Sequence, residues 1–480
     1  MRDLFERHRA MVETASLSRV SGRVVEVVGL TIVAEGLVLP VGALCEVQRR
    51  SRRAIVAEVV GLRGDRAILM PLSEPEGVAA GDRVSSRAGL AHVPVGRRML
   101  GAVLDGFGRP IGGKVDYLVE DHYPCQSVAP AALTRQAIDR PLPTGIRSID
   151  AMHTIGGGQR LGVFAGTGVG KSVLMGMLAR NSRADVIVTA LVGERGREVG
   201  DFLRKDLGDE GMSRSVLVMS TSDESPVLRV RAALVATAVS EYFRDQGADV
   251  LLLMDSTTRI AMAQRQIGLA AGEPPTTKGY PPSVFSLLPR LLERSGRTAS
   301  GSITGLYTVL VEGDDLTDPI ADAIRGILDG HVWLSRDLSN RGHYPAVSVL
   351  DSISRLMPDV TDETHRAAAA NVRRVLAVWR DIEDLVNIGA YAAGANVEFD
   401  TAVRMKPAVD EFLQQSMTDR ADFDDTRRRL VELADKIDAT RKQLAGAKPQ
   451  SVGGANGAGR TARTRGEGRE ASRATSAATG

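Results

Sequence analysis

Apolar and polar positions follow three different rhythms along this chain. From Val24 to about Val95, short β-rich runs (Val24–Val28, Leu30–Ala34, Ile55–Val60 and Ala67–Met70) are cut by Gly22, Gly29, Gly42, Gly61, Gly64 and Gly81. Such spacing of brief strands and turn residues predicts a small β-barrel, placed at 21–96. From about residue 145 to 360, strand-like runs (Leu161–Phe164, Val186–Leu191, Val216–Met219, Val250–Met254 and Ile303–Val311) alternate with helical stretches such as Val173–Ala179 and Pro226–Arg244. That alternation predicts a mainly parallel sheet flanked by helices, an α/β core. The turn-rich Gly101–Pro110 stretch and a Pro-containing connector from Tyr123 to Pro143 lead into it, so the core is assigned to 97–360.

After Pro358 the strand pattern ends. Val372, Val375, Leu376, Trp379, Ile382 and Leu385 recur on one helical face, and a later helix is expected from Asp422 to Leu444, giving a helical domain over 361–445. At the other end, Leu4, His8, Met11, Val12 and Ala15 fall at helical spacing, with Glu6, Arg7, Arg9 and Glu13 turned outward. Residues 1–20 are therefore read as a short amphipathic helix suited to docking. Residues 446–480 are expected to be a disordered tail: from 451 onward they carry five arginines, two glutamates and Val452 as the one aliphatic side chain larger than alanine.

Composition narrows the function classes. The chain has 480 residues, 43% hydrophobic and 25% charged, and lacks an apolar run near the ~20 residues of a membrane span. Its first residues mix both charge signs and have no secretory apolar core, so a cytoplasmic location is expected. Cys45 and Cys125 are too few for a disulfide framework or a zinc site, and are expected to be buried. A net charge of +2 and 4% aromatic residues give neither a basic field nor a base-stacking platform, which argues against nucleic acid as main partner.

Chemistry enters at Ala165-Gly166-Thr167-Gly168-Val169-Gly170-Lys171-Ser172, between a predicted strand and a predicted helix. Glycines there let backbone amides wrap phosphate oxygens, Lys171 reaches the β- and γ-phosphates of ATP, and the Ser172 hydroxyl helps hold Mg²⁺. Ala165 stands where a first glycine is usual, which is tolerable if that position needs no positive φ. At the next strand end, Val192-Gly193-Glu194-Arg195-Gly196-Arg197-Glu198 offers Glu194 to position or deprotonate water and Arg195 to bind the γ-phosphate. The competing reading is a surface ion-pair cluster. The apolar run Val250–Met254 ends in Asp255, a second candidate holder of Mg²⁺.

Gly193-Glu194-Arg195, Met254-Asp255-Ser256, the stretch from Gly272-Glu273-Pro274-Pro275-Thr276-Thr277-Lys278-Gly279-Tyr280-Pro281-Pro282 to Phe285, and Val311-Glu312-Gly313-Asp314-Asp315 closely resemble the type III protein-export ATPases. These are relatives of the catalytic subunit of the rotary ATP synthase, and the resemblance spans roughly residues 20 to 445. The Thr-Lys-Gly-Tyr-Pro-Pro form is more similar to the flagellar export ATPase than to the injectisome one.

The resemblance implies a RecA-like P-loop core, ATP and Mg²⁺ as ligands, and a homohexamer. In Gly342-His343-Tyr344-Pro345, Tyr344 would stack on adenine, with core packing as its alternative. In Ser352-Ile353-Ser354-Arg355, Arg355 would be an arginine finger for the neighbouring subunit, with an intrachain ion pair as its alternative. Related non-catalytic rotary subunits lack the carboxylate that this chain keeps as Glu194. The implied partners are a stator-like regulator at the N-terminal helix, a central stalk, chaperones and export substrates at the C-terminal domain, and a membrane export gate. A ring-shaped RNA translocase and a rotary synthase subunit are the competing functions.

Overall fold

A computed structural model describes residues 20–446 apart from residue 51 and residues 88–91, 113–117 and 312–317. The expected N-terminal helix, the expected tail and the Glu312-Gly313-Asp314-Asp315 motif lie outside the described residues.

Six strands close the barrel: β1 (Ser21–Val28), β2 (Thr31–Glu35), β3 (Leu44–Val47), β4 (Ile55–Arg63), β5 (Arg66–Pro71) and β6 (Arg83–Ser86). Their order is β1-β2-β5-β4-β3-β6, and β6 returns to β1 with Ser21 opposite Ser85. Alternate residues turn inward as a half-buried strand requires, so Val24, Ile32, Ala34, Val47, Ala57, Val59, Leu69 and Val84 form a separate small core. On the outside of the barrel, Leu44, Met70 and Leu72 pack on Val227 and Leu228, which joins barrel to nucleotide-binding core.

Strands β7 (His92–Val95) and β9 (Asp121–Pro124) pair as an antiparallel ribbon, while β8 (Val103–Leu104) joins the main sheet beside Leu217. That sheet continues with β10 (Arg160–Ala165), β11 (Val186–Glu194), β12 (Ser215–Thr221), β13 (Asp249–Asp255), β14 (Gly296–Arg297), β15 (Ser302–Leu310), β16 (Gly330–Leu334) and β17 (Val347–Ser354). Its nine strands run β17-β16-β10-β15-β13-β11-β12-β8, with β14 attached to β15; β17 and β14 are antiparallel to their neighbours and the rest are parallel. Central strands covered by helices on both faces favour apolar residues on both, which is why β11, interrupted at Thr189, and Val250–Met254 of β13 read as largely hydrophobic runs. Trp333 of β16 lies beside Phe164 of β10 in register, and their rings stack with centroids 6.1 Å apart.

The connector is strapped down by charge. Arg294 and Glu241 form a fully buried bidentate pair at 2.7 and 2.9 Å, and a third guanidinium nitrogen donates to the Cys125 carbonyl at 2.7 Å. Arg135 donates to the Ser295 carbonyl at 2.9 Å and pairs with Glu293 at 3.0 Å. Cys45 and Cys125 are both buried free thiols.

Helices Glu363–Asn387, Val397–Leu413 and Phe423–Gly446 form the C-terminal domain and pack on the short helix Arg147–Met152. Val372, Val375 and Ile382 are buried and Leu376 and Trp379 half-buried. Leu385 departs from the expected apolar face, being 44% exposed. Among the described residues no helix is long and apolar enough to cross a membrane.

Removing one half of the Arg294–Glu241 pair leaves a buried, uncompensated charge. Glu241→Ala should lower unfolding stability by about 3–5 kcal/mol in urea titrations; a loss under about 1 kcal/mol would contradict the strapping role.

Candidate functional site

Three parallel strands deliver the site at their carboxyl ends. Ala165 ends β10 as a regular strand residue, opposite Leu310 and Leu334, and lacks the positive φ that would demand glycine. Gly168 and Gly170 do adopt φ of +80° and +92°. A β-carbon would be strained at both, so these two glycines allow the chain to curl back on itself. Val169 between them is buried and pins the loop to the core. Gly170 then opens the helix Lys171–Asn181 with no side-chain cap, so the first N–H groups of this eleven-residue helix are available to an anion. Thr167 and Ser172 are exposed at the loop, and an Arg336 guanidinium nitrogen donates to the Thr167 carbonyl at 3.3 Å.

Lys171, Glu194 and Asp255 meet above the sheet. The Lys171 ammonium contacts Asp255 Oδ1 directly and lies 3.7 Å from Glu194 Oε1. Thr308 of β15 donates to the same Asp255 oxygen at 2.7 Å. Glu194 reaches this position through a bulge: pairing with β12 slips between Val192 and Glu194, and Gly193 has φ +74°. Arg259 fills the space beside Gly193, donating to its carbonyl and approaching Glu194 Oε2 at 3.3 Å. Burial pushes the Glu194 carboxyl up to about 7; Glu198 and the charge of Asp255 add to that shift, and Lys171 and Arg259 oppose it.

A magnesium ion would find hard oxygen donors here in the Ser172 hydroxyl and the Asp255 carboxylate, whose contacts with Lys171 and Thr308 both fall on Oδ1. Among the described residues no group of three acidic, histidine or cysteine side chains gathers as a self-sufficient metal cage. This fits Mg²⁺, which keeps several waters and draws ligands from phosphate.

Tyr344 stands over the loop, its ring edge 3.5 Å from where a β-carbon on Gly170 would lie. With Val173, Met177, Leu334, Pro345 and Met417 it lines a largely apolar cavity of about 410 Å³, and the tyrosine itself is 46% exposed. An apolar slot walled by an aromatic ring beside a phosphate loop suits a flat nucleobase. The C-terminal domain closes this slot through Gln415. Its N–H donates to the Tyr344 carbonyl at 2.9 Å, its side-chain nitrogen donates to the Gly145 carbonyl at 2.9 Å, and its side-chain oxygen accepts from Arg147 N–H at 2.8 Å.

Two expected residues lie elsewhere. Arg195 does not join Lys171 and Glu194: its side chain is 79% exposed and reaches Glu198 at 3.6 Å, because the helix beginning at Gly196 carries it outward. Arg259 occupies the cation position beside Glu194 instead. Arg355 follows β17, whose last residue Ser354 lies opposite Gly330, the first residue of β16. Because β16 runs parallel to β10, Arg355 sits at the opposite edge of the sheet from the loop, about 20 Å away for a six-residue strand. It is exposed, as are Asp351 and Ile353 on the same strand face.

Sequence reasoning missed Arg259, Thr308 and Gln415. Arg259 follows the Asp255-Ser256 turn by three residues and was a detectable neighbour; Thr308 and Gln415 come from distant segments with no local pattern to mark them.

Comparison with known proteins follows this geometry. Residues 18–87 match the ATP synthase alpha/beta family, beta-barrel domain; residues 145–354 match its nucleotide-binding domain; and residues 361–432 match the T3SS EscN ATPase C-terminal domain. The flagellum-specific ATP synthase of Treponema pallidum is 49% identical, covering 88% of this chain and 95% of the relative. The type 3 secretion system ATPase of Xanthomonas euvesicatoria is 47% identical, covering 88% and 96%. The chain belongs to the type III protein-export ATPase family.

As a family member it is an ATPase with the expected barrel, nucleotide-binding core and helical C-terminal domain. Structures of the assembled ATPase EscN from the enteropathogenic E. coli type III secretion system superpose with TM-scores of 0.82 alone and 0.79 in complex with its central stalk EscO. They share 41% and 40% identity and cover 86% of this chain and 100% of theirs.

The bulge at Gly193 leaves no room for a side chain, since a β-carbon would fall 2.8 Å from Arg259 Cδ. Gly193→Ala should therefore lower kcat by about tenfold or more while nucleotide affinity stays within about twofold. Unchanged turnover in a phosphate-release assay would show that the Glu194 bulge is not required.

Proposed function

We propose that this chain is the Mg-ATP-hydrolysing motor of a flagellar type III export apparatus, acting as a homohexameric ring. The observation that carries the catalytic part is the split between two sheet edges. Lys171, Glu194 and Asp255 converge at one end of β10, and Arg355 stands exposed at the other. Each copy thus offers Arg355 outward, away from its own loop, which a ring of identical copies would use.

In this reading the amides of Gly166, Thr167, Gly168, Val169 and Gly170 surround the phosphates, and the Lys171 ammonium leaves Asp255 for the β- and γ-oxygens. Ser172 and Asp255 would hold Mg²⁺, which when bound supplies positive charge to the transferring phosphoryl group. Ionised Glu194 accepts a proton from the attacking water, with Arg259 holding its other oxygen. Arg355 of the adjoining copy neutralises charge that builds in the transition state, a contribution of about 10³–10⁵ in rate. Tyr344 stacks on adenine. Arg195 is left to a role at the helix surface rather than on phosphate.

The flagellar assignment is supported by the Thr277-Lys278-Gly279-Tyr280-Pro281-Pro282 form and by the relatives named as flagellum-specific. An injectisome role is the second reading, favoured by an almost equal 47% identity to the Xanthomonas enzyme. The RNA-translocase alternative gains no support from these relatives. By analogy with EscN and EscO, the C-terminal domain would meet a central stalk. Chaperones and export substrates at that domain, a stator-like regulator at the N-terminal segment, and docking at a membrane export gate complete the proposal.

Lys171→Ala should weaken nucleotide binding, whereas Glu194→Gln should leave binding within about twofold and lower hydrolysis about 10³-fold. With its carboxyl titrating at about 7 in the folded chain, against an ordinary 4.5, Glu194 is protonated below that value. Turnover should rise about tenfold per pH unit below neutrality and level off above it. The same upward shift gives a stability contribution that is lost as pH rises through about 7. A flat pH profile would contradict Glu194 as base. Deleting the gene should abolish filament and motility; normal filaments with lost effector secretion would move the assignment to the injectisome.

A further inference from the structure

Among the described residues no salt bridge holds the Arg355 side chain, while its backbone is fixed by polar contacts from several segments. Gln159, the residue before β10, is completely buried. Its side-chain nitrogen donates to the Asp329 carbonyl at 3.2 Å and to Ser354 Oγ at 3.1 Å, and its side-chain oxygen accepts from Gly156 N–H at 2.9 Å. The Asp329 carbonyl also accepts the Arg355 N–H at 3.0 Å, so Gln159 and Arg355 share one acceptor. Ser354 Oγ in turn donates to the Thr154 carbonyl at 2.8 Å.

Asp329 is itself clamped. Its carboxylate accepts from Arg160 N, Nε and Nη2, each at 3.1 Å, and its N–H donates to the Arg160 carbonyl at 2.9 Å. Gly330 lets β17 close over this point, since a β-carbon there would fall 2.3 Å from the Ile353 carbonyl oxygen. Arg160 and Gln159 stand at the start of the same short strand whose far end leads into Gly166 and Lys171. The strand is paired on both sides, by β15 and β16, which fixes the distance between the knot and the loop.

The geometry points to Gln159, Asp329 and Ser354 as positioning residues that set Arg355 for the adjoining copy's active site. This rests on the reading of Arg355 as a cation supplied between copies. The knot touches no nucleotide in its own chain, so its loss should be felt one copy away. A merely structural role would instead harm the site of the chain that carries the change.

Mixed rings separate these outcomes. Copies carrying Glu194→Gln have a silent site and an intact Arg355; copies carrying Arg355→Ala have an intact site and no cation to give. Mixing the two should restore hydrolysis, and no restoration would overturn the Arg355 reading itself. Given restoration, Gln159→Met placed in the Glu194→Gln copies should cut the restored rate about tenfold. The same change placed in the Arg355→Ala copies should leave it intact. Ser354→Ala, a smaller change that keeps the fold if Gln159→Met does not, should give the same asymmetry at about threefold. Equal effects in both placements, or none in either, would overturn the positioning role.

Discussion

Two carboxylates buried beside each other, Glu194 and Asp255, are the constraint on which the site depends. Burial drives the Glu194 carboxyl toward the neutral form, and a buried carboxylate needs a cation at hand. Lys171 serves both, touching Asp255 and lying 3.7 Å from Glu194, while Arg259 takes the second Glu194 oxygen. The arrangement leaves Glu194 near its midpoint at neutral pH, where a carboxylate accepts a proton from water most effectively. It also leaves Lys171 held by groups that a triphosphate, with its greater charge, can replace.

The sheet separates this local balance from Arg355. Parallel strands collect Lys171, Glu194 and Asp255 at one edge because each follows or ends its strand there. The turn into antiparallel β17 sends Arg355 to the other edge. In the proposed ring, the Arg355 that stands about 20 Å from its own loop would complete the site of the copy beside it. The C-terminal domain enters the same logic through Gln415, whose bonds to Tyr344, Gly145 and Arg147 join the base slot to the helices that meet other proteins in the proposed apparatus.

Much of this was legible in the residues, for physical reasons. The loop from Gly166 to Ser172 is local, and two positive-φ glycines leave a mark that few other structures require. The long helices and the apolar central strands carry strong periodicity. What escaped was non-local. β8 and β16 are too short to declare themselves, and strand order emerges only from packing. Thr308 and Gln415 lie far in sequence from the groups they hold. Adjacency to Glu194 in sequence says nothing of direction: the helix starting at Gly196 turns Arg195 to solvent, and Arg259 stands beside Glu194. Leu385 fits the helical pattern yet is exposed. Trp333, without a role in the sequence, is a stacking partner of Phe164 behind the phosphate loop.

The most direct test is a structure of the assembled ring with magnesium, ADP and a fluoride mimic of the transferring phosphoryl group. The account predicts Lys171 drawn off Asp255 onto the mimic, Glu194 within hydrogen-bonding reach of the water in line with it, and the Arg355 guanidinium of the adjoining copy on a fluoride. Lys171 still seated on Asp255, or a cation from the same chain in place of Arg355, would contradict it.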